Sequence, residues 1–142
     1  MSYSLSFSKG ILVVIFVSDK IRQGQYDYLS TASISEILNI PKPTLVKILQ
    51  SLSSAGILET KEGKSGGVRL IKKPSQVTVL DVFNALEAGK PLFQTSFDIN
   101  AKGKRPDKAQ NLLQKMFKES ETAMKNTLSQ KSIEDLLEEM GK

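Results

Sequence analysis

The first run of hydrophobic residues lies within residues 4–22. Its central part, residues 11–17, is rich in β-branched side chains, which taken alone favour a strand. No turn signal interrupts the segment before Gly24, and the segment is too long for an ordinary strand. We therefore predict that it forms a buried helix.

Two further helices are predicted in close succession. Ser30 is placed to cap the first of them through its hydroxyl, and residues 39–43 separate the two. Pro43 suits the first turn of the following helix, and Gly56 is placed to end it. The predicted inward residues are Ile34, Ile37 and Leu38 on one helix and Leu45, Ile48, Leu49 and Leu52 on the next. This arrangement is a helix-turn-helix pattern.

The next two apolar segments, residues 57–61 and 68–71, have the length of short strands and flank a glycine-rich tip. Such a pattern predicts a β-hairpin. Glycines at the tip permit positive φ angles and let the backbone of the hairpin approach another molecule closely. A hairpin directly after a helix-turn-helix predicts a winged helix.

The C-terminal half is predicted to contain three helices. Residues 78–88 form the first, after Pro74, residues 107–130 form a long amphipathic helix, and Ser132 is placed to cap the last. We expect a mainly α fold with a small β-wing. The expected parts are a winged helix-turn-helix domain over residues 1–88, a connecting loop over residues 89–106, and a dimerisation helix with a C-terminal helix over residues 107–142.

The apolar stripe of the long helix extends over about six turns, more than a small winged-helix core easily covers. A two-fold symmetric partner is the simplest cover, and packing wholly within one chain is the alternative. The residues expected at the dimer interface are Leu112, Leu113, Met116, Phe117, Met124 and Leu128.

The distribution of charge suggests an anionic partner. The net charge of the chain is +5, with +4 carried by residues 31–73 and +5 by residues 101–118, whereas the segments between and after them are acidic. Separate basic blocks suggest that one face meets an anion, and a solvated surface of mixed charge is the alternative. For the basic run Lys102, Lys104, Arg105 and Lys108 we favour a solvated loop over one that contacts DNA.

The 142 residues include no Cys, His or Trp. Their absence excludes thiol chemistry, cysteine-held iron–sulfur clusters, zinc sites built on Cys or His, and catalysis by Ser-His-Asp or Cys-His groups. Nothing supplies an activated nucleophile or an acid–base pair, so we expect no enzyme activity, no cofactor and no metal. No apolar run is long enough to span a membrane, and no secretion signal is evident, so we expect a cytoplasmic protein with no membrane partner.

Three stretches carry a resemblance to a known family. They read LVKILQSL with AGIL (residues 45–52 and 55–58), GKSGGVRL (residues 63–70), and VTVLDV with ALE (residues 77–82 and 85–87). In these stretches the chain resembles the Rrf2 family of bacterial winged-helix transcription regulators. The resemblance extends over nearly the whole chain. It implies that the stretches are the recognition helix, the wing and the connecting helix of a homodimer that pairs through the long helix.

The sequence departs from the family pattern in two places. The family wing usually begins with an Arg before the first glycine, but Glu62 stands there in this sequence. Lys61 or Lys64 would then have to supply the positive charge toward DNA. Many members also hold an iron–sulfur cluster through three Cys, and the matching residues 90–106 contain none. The signal must therefore be sensed by other means.

The function that we expect is that of a sequence-specific DNA-binding regulator, a homodimeric repressor of a palindromic operator. Thr44 and Gln50 are expected to read base edges, and Lys42 and Lys47 are expected to contact phosphates. The wing residues 64–67 would follow the DNA backbone or a minor groove. The full set expected at the DNA is Lys9, Ser30, Lys42, Pro43, Thr44, Lys47, Gln50, Ser51, Lys61, Lys64, Ser65, Gly66 and Gly67.

Two questions stay open at this point. The alternative function is a winged-helix interaction module that no longer reads DNA, which Glu62 permits. The effector, a small molecule or a protein, is unknown. A pocket between the winged domain and the long helix is a candidate site for it, with Phe16, Phe83, Phe93 and Phe97 as lining, although these residues are more simply explained as core.

Overall fold

The computed structural model describes residues 5–24, 26–87 and 89–141. Within these residues it contains six helices and one two-stranded sheet. The helices are α1 (Leu5–Arg22), α2 (Thr31–Leu38), α3 (Lys42–Ser54), α4 (Val79–Glu87), α5 (Lys104–Leu128) and α6 (Ile133–Met140). The strands are β1 (Leu58–Lys61) and β2 (Gly67–Leu70), and a 3-10 turn spans Pro74–Gln76. The expected mainly α fold with a small β-wing is confirmed.

Helix α1 lies at the centre of the hydrophobic core. Val13, Val14 and Val17 are fully buried there, among residues from α2, α3, the wing and α6. Burial of these side chains outweighs the small preference of β-branched residues for strands. The length of the segment was therefore a better guide to its structure than its local propensity.

The helix-turn-helix forms as the sequence predicts, with one exception. The Ser30 Oγ atom caps α2 by accepting a hydrogen bond from the Ser33 N–H at 3.1 Å, and Pro43 lies in the first turn of α3. The expectation that Ile37 points inward is wrong, because 59% of its surface is exposed. The buried stripe of α2 runs through Ile34 and Leu38, and Ile37 lies to one side of it.

The wing is attached to the segment that precedes α2. Strands β1 and β2 pair antiparallel, with Lys61 opposite Gly67. Leu29 and Val68 exchange two backbone hydrogen bonds of 2.9 Å, which adds a single bridge to the sheet. Gly67 has a φ of +145°, and a Cβ atom there would lie 2.1 Å from the Leu29 carbonyl oxygen. A glycine is therefore needed at this position for the wing to dock.

Helix α6 packs into the core of the winged domain. The Ile133 N–H donates to the Val77 carbonyl at 2.8 Å, and the Val79 N–H donates to the Lys131 carbonyl at 2.9 Å. These bonds join the starts of α4 and α6. Ile133 is fully buried, and 6% of Leu137 is exposed. The last helix is thus physically part of the domain that contains the helix-turn-helix.

The long helix α5 begins at Lys104 rather than at the predicted residue 107, and none of its 25 residues is buried. Lys104 and Arg105, which we expected in a loop, lie in its first turn. The preceding segment is held along α5 by a 3.0 Å hydrogen bond from the Leu92 N–H to the Glu121 carboxylate. No helix in the described part of the chain is long and apolar enough to cross a membrane.

The four phenylalanines proposed as pocket lining do not share one cavity. Phe83 is buried and meets Phe7 edge to face, with the ring centres 5.1 Å apart. Phe93 stacks on Phe117 of α5 at 4.4 Å. The cavity beside Phe93 is lined by Phe117 and not by Phe16, Phe83 or Phe97. The candidate pocket is therefore wrong, because Phe83 and Phe93 belong to separate aromatic pairs.

Candidate nucleic-acid interface

Helix α3 presents a polar face opposite its buried stripe. Leu45, Ile48, Leu49 and Leu52 face the core. Pro43, Lys47 and Gln50 are exposed on the opposite side, and Thr44 and Ser51 are half-exposed beside them. Because this helix follows the turn directly, its outward face has the position that enters a major groove in helix-turn-helix proteins. The structure therefore brings together the α3 residues that the sequence selects.

The outward face of α3 also contains an apolar residue that the sequence reasoning missed. Val46 is 42% exposed and lies between the exposed residues Pro43 and Gln50 on the helix surface. An aliphatic side chain at such a position can contact the methyl group of thymine. Its position on the helix could have identified it in the sequence, because Val46 falls outside the buried stripe defined by Leu45, Ile48 and Leu52.

The wing presents its lysines and folds its glycines inward. Lys61, Lys64 and Ser65 are exposed, whereas Gly66 is buried. A Cβ atom on Gly66 would lie 2.0 Å from the Lys61 carbonyl oxygen. Together with the docking of Gly67 against Leu29, this contact means that packing within the chain already explains both glycines. Their proposed approach to DNA is a separate prediction.

Tyr28 forms a platform for two cations of the wing, which sequence reasoning did not find. The Lys61 Nζ atom lies 5.5 Å from the centre of the Tyr28 ring, and the Arg69 guanidinium carbon lies 4.5 Å from it. Arg69 also donates a hydrogen bond to Glu59 on the paired strand, which raises the pKa of Arg69. The ring faces both cations at a distance typical of cation–π contacts. Tyr28 thereby contacts one cation from each strand of the wing.

Ser30 and Lys9, which were also predicted at the DNA, belong to neither α3 nor the wing. The Ser30 hydroxyl is occupied as the α2 cap and donates to the Ser33 hydroxyl at 2.9 Å. Lys9 is half-buried in the first half of α1. Lys102, Lys104, Arg105 and Lys108 are all exposed near the start of α5. The structure therefore leaves the second basic block on a different element from α3 and the wing.

The long helix α5 carries an uncovered apolar face. Leu112 is 57% exposed, Leu113 40% and Met116 59%. Phe117 is partly covered by Phe93, and Met124 and Leu128 are half-buried. Three large exposed side chains within two turns form the kind of contiguous apolar patch that marks an interaction surface.

Known regulators have a similar sequence and a similar fold. The chain is 29% identical over 108 residues to the Bacillus subtilis protein named "Putative HTH-type transcriptional regulator YwnA", covering 76% of this chain and 80% of the relative. It is 26% identical over 119 residues to the protein YwgB of the same organism, covering 80% of this chain and 71% of the relative.

Two solved structures show the same fold. IscR of T. potens superposes with a TM-score of 0.73 at 18% identity, covering 99% of this chain and 88% of that one. CymR, the global cysteine regulator of B. subtilis, superposes with a TM-score of 0.66 at 22% identity, covering 97% of each chain.

A family model described as Rrf2, iron-dependent transcriptional regulator, matches residues 5–139. The side chains present do not fit an iron site. The sequence has no Cys or His, and the described residues contain no group of three or more Asp or Glu that could hold a metal ion. Iron and iron–sulfur clusters in proteins depend on such ligands. With a match over nearly its whole length and the same fold, the chain belongs to the Rrf2 family of transcriptional regulators.

Proposed function

We propose that the protein is a homodimeric repressor that binds a palindromic DNA operator. The observation that carries this proposal is the pairing of two surfaces on one chain. The polar outward face of α3 lies in the same domain as a lysine-bearing wing, and the 25-residue helix α5 leaves its apolar face uncovered. The first surface suits DNA, and the second suits a copy of the same chain.

Each part of the DNA surface has its own role in the proposal. Thr44 and Gln50 read base edges in the major groove, and Val46 contacts a thymine methyl group. Lys42 and Lys47 contact phosphates, which fixes the position of α3 without specifying sequence. Residues 61–67 of the wing lie along the adjacent backbone, with Lys61 and Lys64 supplying the charge that Glu62 lacks.

A second chain placed by two-fold symmetry would cover the α5 face. Leu112, Leu113 and Met116 of one protomer would pack on the same surface of its partner, because a two-fold interface is self-complementary. Two recognition helices related by this axis would read two inverted half-sites. The expected separation of the half-site centres is about 34 Å, one turn of DNA, or a multiple of it.

The proposed repressor responds to its signal without cysteine chemistry. No thiol is present to be oxidised or to hold a cluster. A small molecule, or a protein that contacts the regulator, would have to shift its affinity for DNA. The proposal places the protein in the cytoplasm, where its operator would be.

The test is fluorescence anisotropy of the purified protein with the DNA upstream of its own gene, with scrambled DNA as competitor over a salt series. Thr44→Ala is expected to weaken operator binding about tenfold, while leaving the binding of scrambled DNA unchanged. Lys47→Ala should weaken both and reduce the steepness of the log–log salt dependence by about 1.8, because the dimer loses one phosphate contact in each protomer. Lys115→Ala, which removes the same charge from α5, is the matched control.

Two results would reject this function. The first is binding that is abolished by scrambled DNA and unchanged by Thr44→Ala, which would favour the interaction module. The exposed Glu62 at the wing tip is the feature that supports this module. A protein that stays monomeric at the concentrations where it binds the operator would reject the dimer but not DNA binding.

A further inference from the structure

A cavity separate from the DNA surface lies behind the wing. It is bounded by the C-terminal part of α1, by β2, by the connection through residues 72–75, and by Glu134 in the first turn of α6. Its volume is about 420 Å³. This size is within the range of sites for small ligands, which is about 300–1,000 Å³. The cavity therefore suits a small molecule rather than a segment of protein.

The cavity has an apolar floor. Ile21 contributes from α1, Leu70 from the end of β2, and Pro74 from the 3-10 turn, and Val17 lies beneath them. Val17 is fully buried and belongs to the hydrophobic core, so the floor is held rigidly in place. Such a floor favours a ligand with an apolar body, because contact with it removes apolar surface from water.

The rim of the cavity is cationic. Arg22, Arg69, Lys72 and Lys73 line it, against the single carboxylate of Glu134. Four positive groups around one opening create a potential that favours an anion. An isolated inorganic anion would leave the apolar floor uncovered, and a neutral apolar molecule would leave the rim unused.

The ion pairs of the rim decide which groups are available. Arg22 is paired with Glu134 at 2.6 Å, and Arg69 is paired with Glu59. Lys72 and Lys73 have no ion-pair partner within residues 5–24, 26–87 and 89–141. Glu134 is the single carboxylate among the lining residues and is already paired with Arg22, so the excess charge at the rim is positive. This argues for an acid rather than an amine or an amino acid.

We propose that this cavity binds a small organic acid, with its carboxylate between Lys72 and Lys73 and its apolar body on the floor formed by Ile21, Leu70 and Pro74. The Arg22 guanidinium has further N–H groups beyond the one that contacts Glu134, so it can also donate to the carboxylate. The site lies within one chain and does not require DNA or a second protomer. Its test is therefore independent of the function proposed above.

Isothermal titration calorimetry with hexanoate tests the site directly on the full chain. Hexanoate is expected to bind with a Kd of about 1 mM, as suits a ligand with so few heavy atoms. Acetate has the same charge without the apolar body, and hexan-1-ol has a similar body without the charge. Both are expected to bind at least about tenfold more weakly, and inorganic sulfate should bind no better than acetate.

The double variant Lys72→Gln, Lys73→Gln is expected to weaken hexanoate binding about tenfold or more. The matched control is Lys102→Gln, Lys108→Gln, which removes the same charge at exposed positions outside the cavity, and it should bind hexanoate as the parent does. Circular dichroism verifies that both variants are folded. No detectable hexanoate binding would overturn the proposal, and so would equal binding of hexan-1-ol or equal weakening by the two double variants.

Discussion

Replacement of Gly67 by Ala tests whether docking of the wing against Leu29 stabilises the fold. Gly67 has a φ of +145°, a conformation that an L-residue rarely adopts, and the added Cβ atom would meet the Leu29 carbonyl oxygen at 2.1 Å. Relief of that contact requires β2 to separate from the Leu29 backbone. The two hydrogen bonds of 2.9 Å between Leu29 and Val68 would then be lost.

The expected loss of stability follows from these two contributions. Backbone strain at a glycine-only φ costs about 1–3 kcal/mol. Two hydrogen bonds cost about 0.5–1.5 kcal/mol each. The free energy of unfolding should therefore fall by about 2–6 kcal/mol, which for a chain of this size lowers Tm by about 6–18 °C. Urea unfolding followed by circular dichroism measures the difference at one fixed protein concentration.

Gly63→Ala is the matched control on the same hairpin. Gly63 also has a positive φ, +103°, but no atom lies within 4 Å of the position of its Cβ. This variant should therefore lose only the strain contribution of about 1–3 kcal/mol. If Gly67→Ala unfolds at the same urea concentration as Gly63→Ala, the close contact with Leu29 does not stabilise the protein and the argument is refuted.

Three further measurements test other parts of the structure. Ser18→Ala removes a buried hydroxyl that has no hydrogen-bond partner among the described residues. Urea unfolding should therefore show unchanged stability or a gain of up to about 1 kcal/mol. A clear loss of stability would contradict the structure. The double variant Leu112→Glu, Met116→Glu should be folded and should have half the mass of the parent in light scattering. Asn111→Glu, which lies off the apolar stripe, should keep the mass of the parent. A dimeric double variant would place the interface elsewhere. Hydrogen bonds from the Ser132 backbone N–H and hydroxyl lower the pKa of Asp135 below its unfolded value. This carboxylate therefore contributes stability above the unfolded pKa that is lost as the pH falls through the folded one, and Asp135→Asn should flatten that acid limb of stability against pH.

The sequence predicts best those helices whose first turns are fixed by residues close together along the chain. Ser30 and Ser132 each cap a helix, and Pro43 marks the first turn of α3, because the groups involved are neighbours along the chain. Glycine at position 67 is visible in the sequence, but its partner Leu29 is distant along the chain. The docking of the wing could therefore be explained only from the structure.

Side-chain contacts between distant segments account for most of what the sequence did not reveal. Ile37 has the spacing of an inward residue, yet none of the described elements covers more than a part of it, and 59% of its surface is exposed. The contact of Tyr28 with two cations could not be predicted from the sequence, because Lys61 and Arg69 lie far from it along the chain. The four-phenylalanine pocket failed for a related reason, because composition shows that aromatic residues are present but not which of them meet. The residues on α3 were found because they lie on one helix, where spacing alone determines the shared face.

The attachment of α5 near its middle and at its C-terminal end gives the proposed dimer a fixed geometry. Near its middle, α5 is held to the preceding segment through the Leu92–Glu121 hydrogen bond and the Phe93–Phe117 stack. At its C-terminal end, α6 follows within a few residues and is bonded to the start of α4 through Ile133 and Val77. The apolar face thus belongs to a helix whose orientation relative to α3 is set within each chain. Two-fold pairing through that face would therefore set the distance between the two recognition helices, and with it the spacing of the half-sites. Insertion of base pairs between the half-sites should then weaken binding sharply, with partial recovery only near a full added turn of about 10 base pairs. Operator binding that tolerates any spacing would show that α5 does not hold the two DNA-binding surfaces in register.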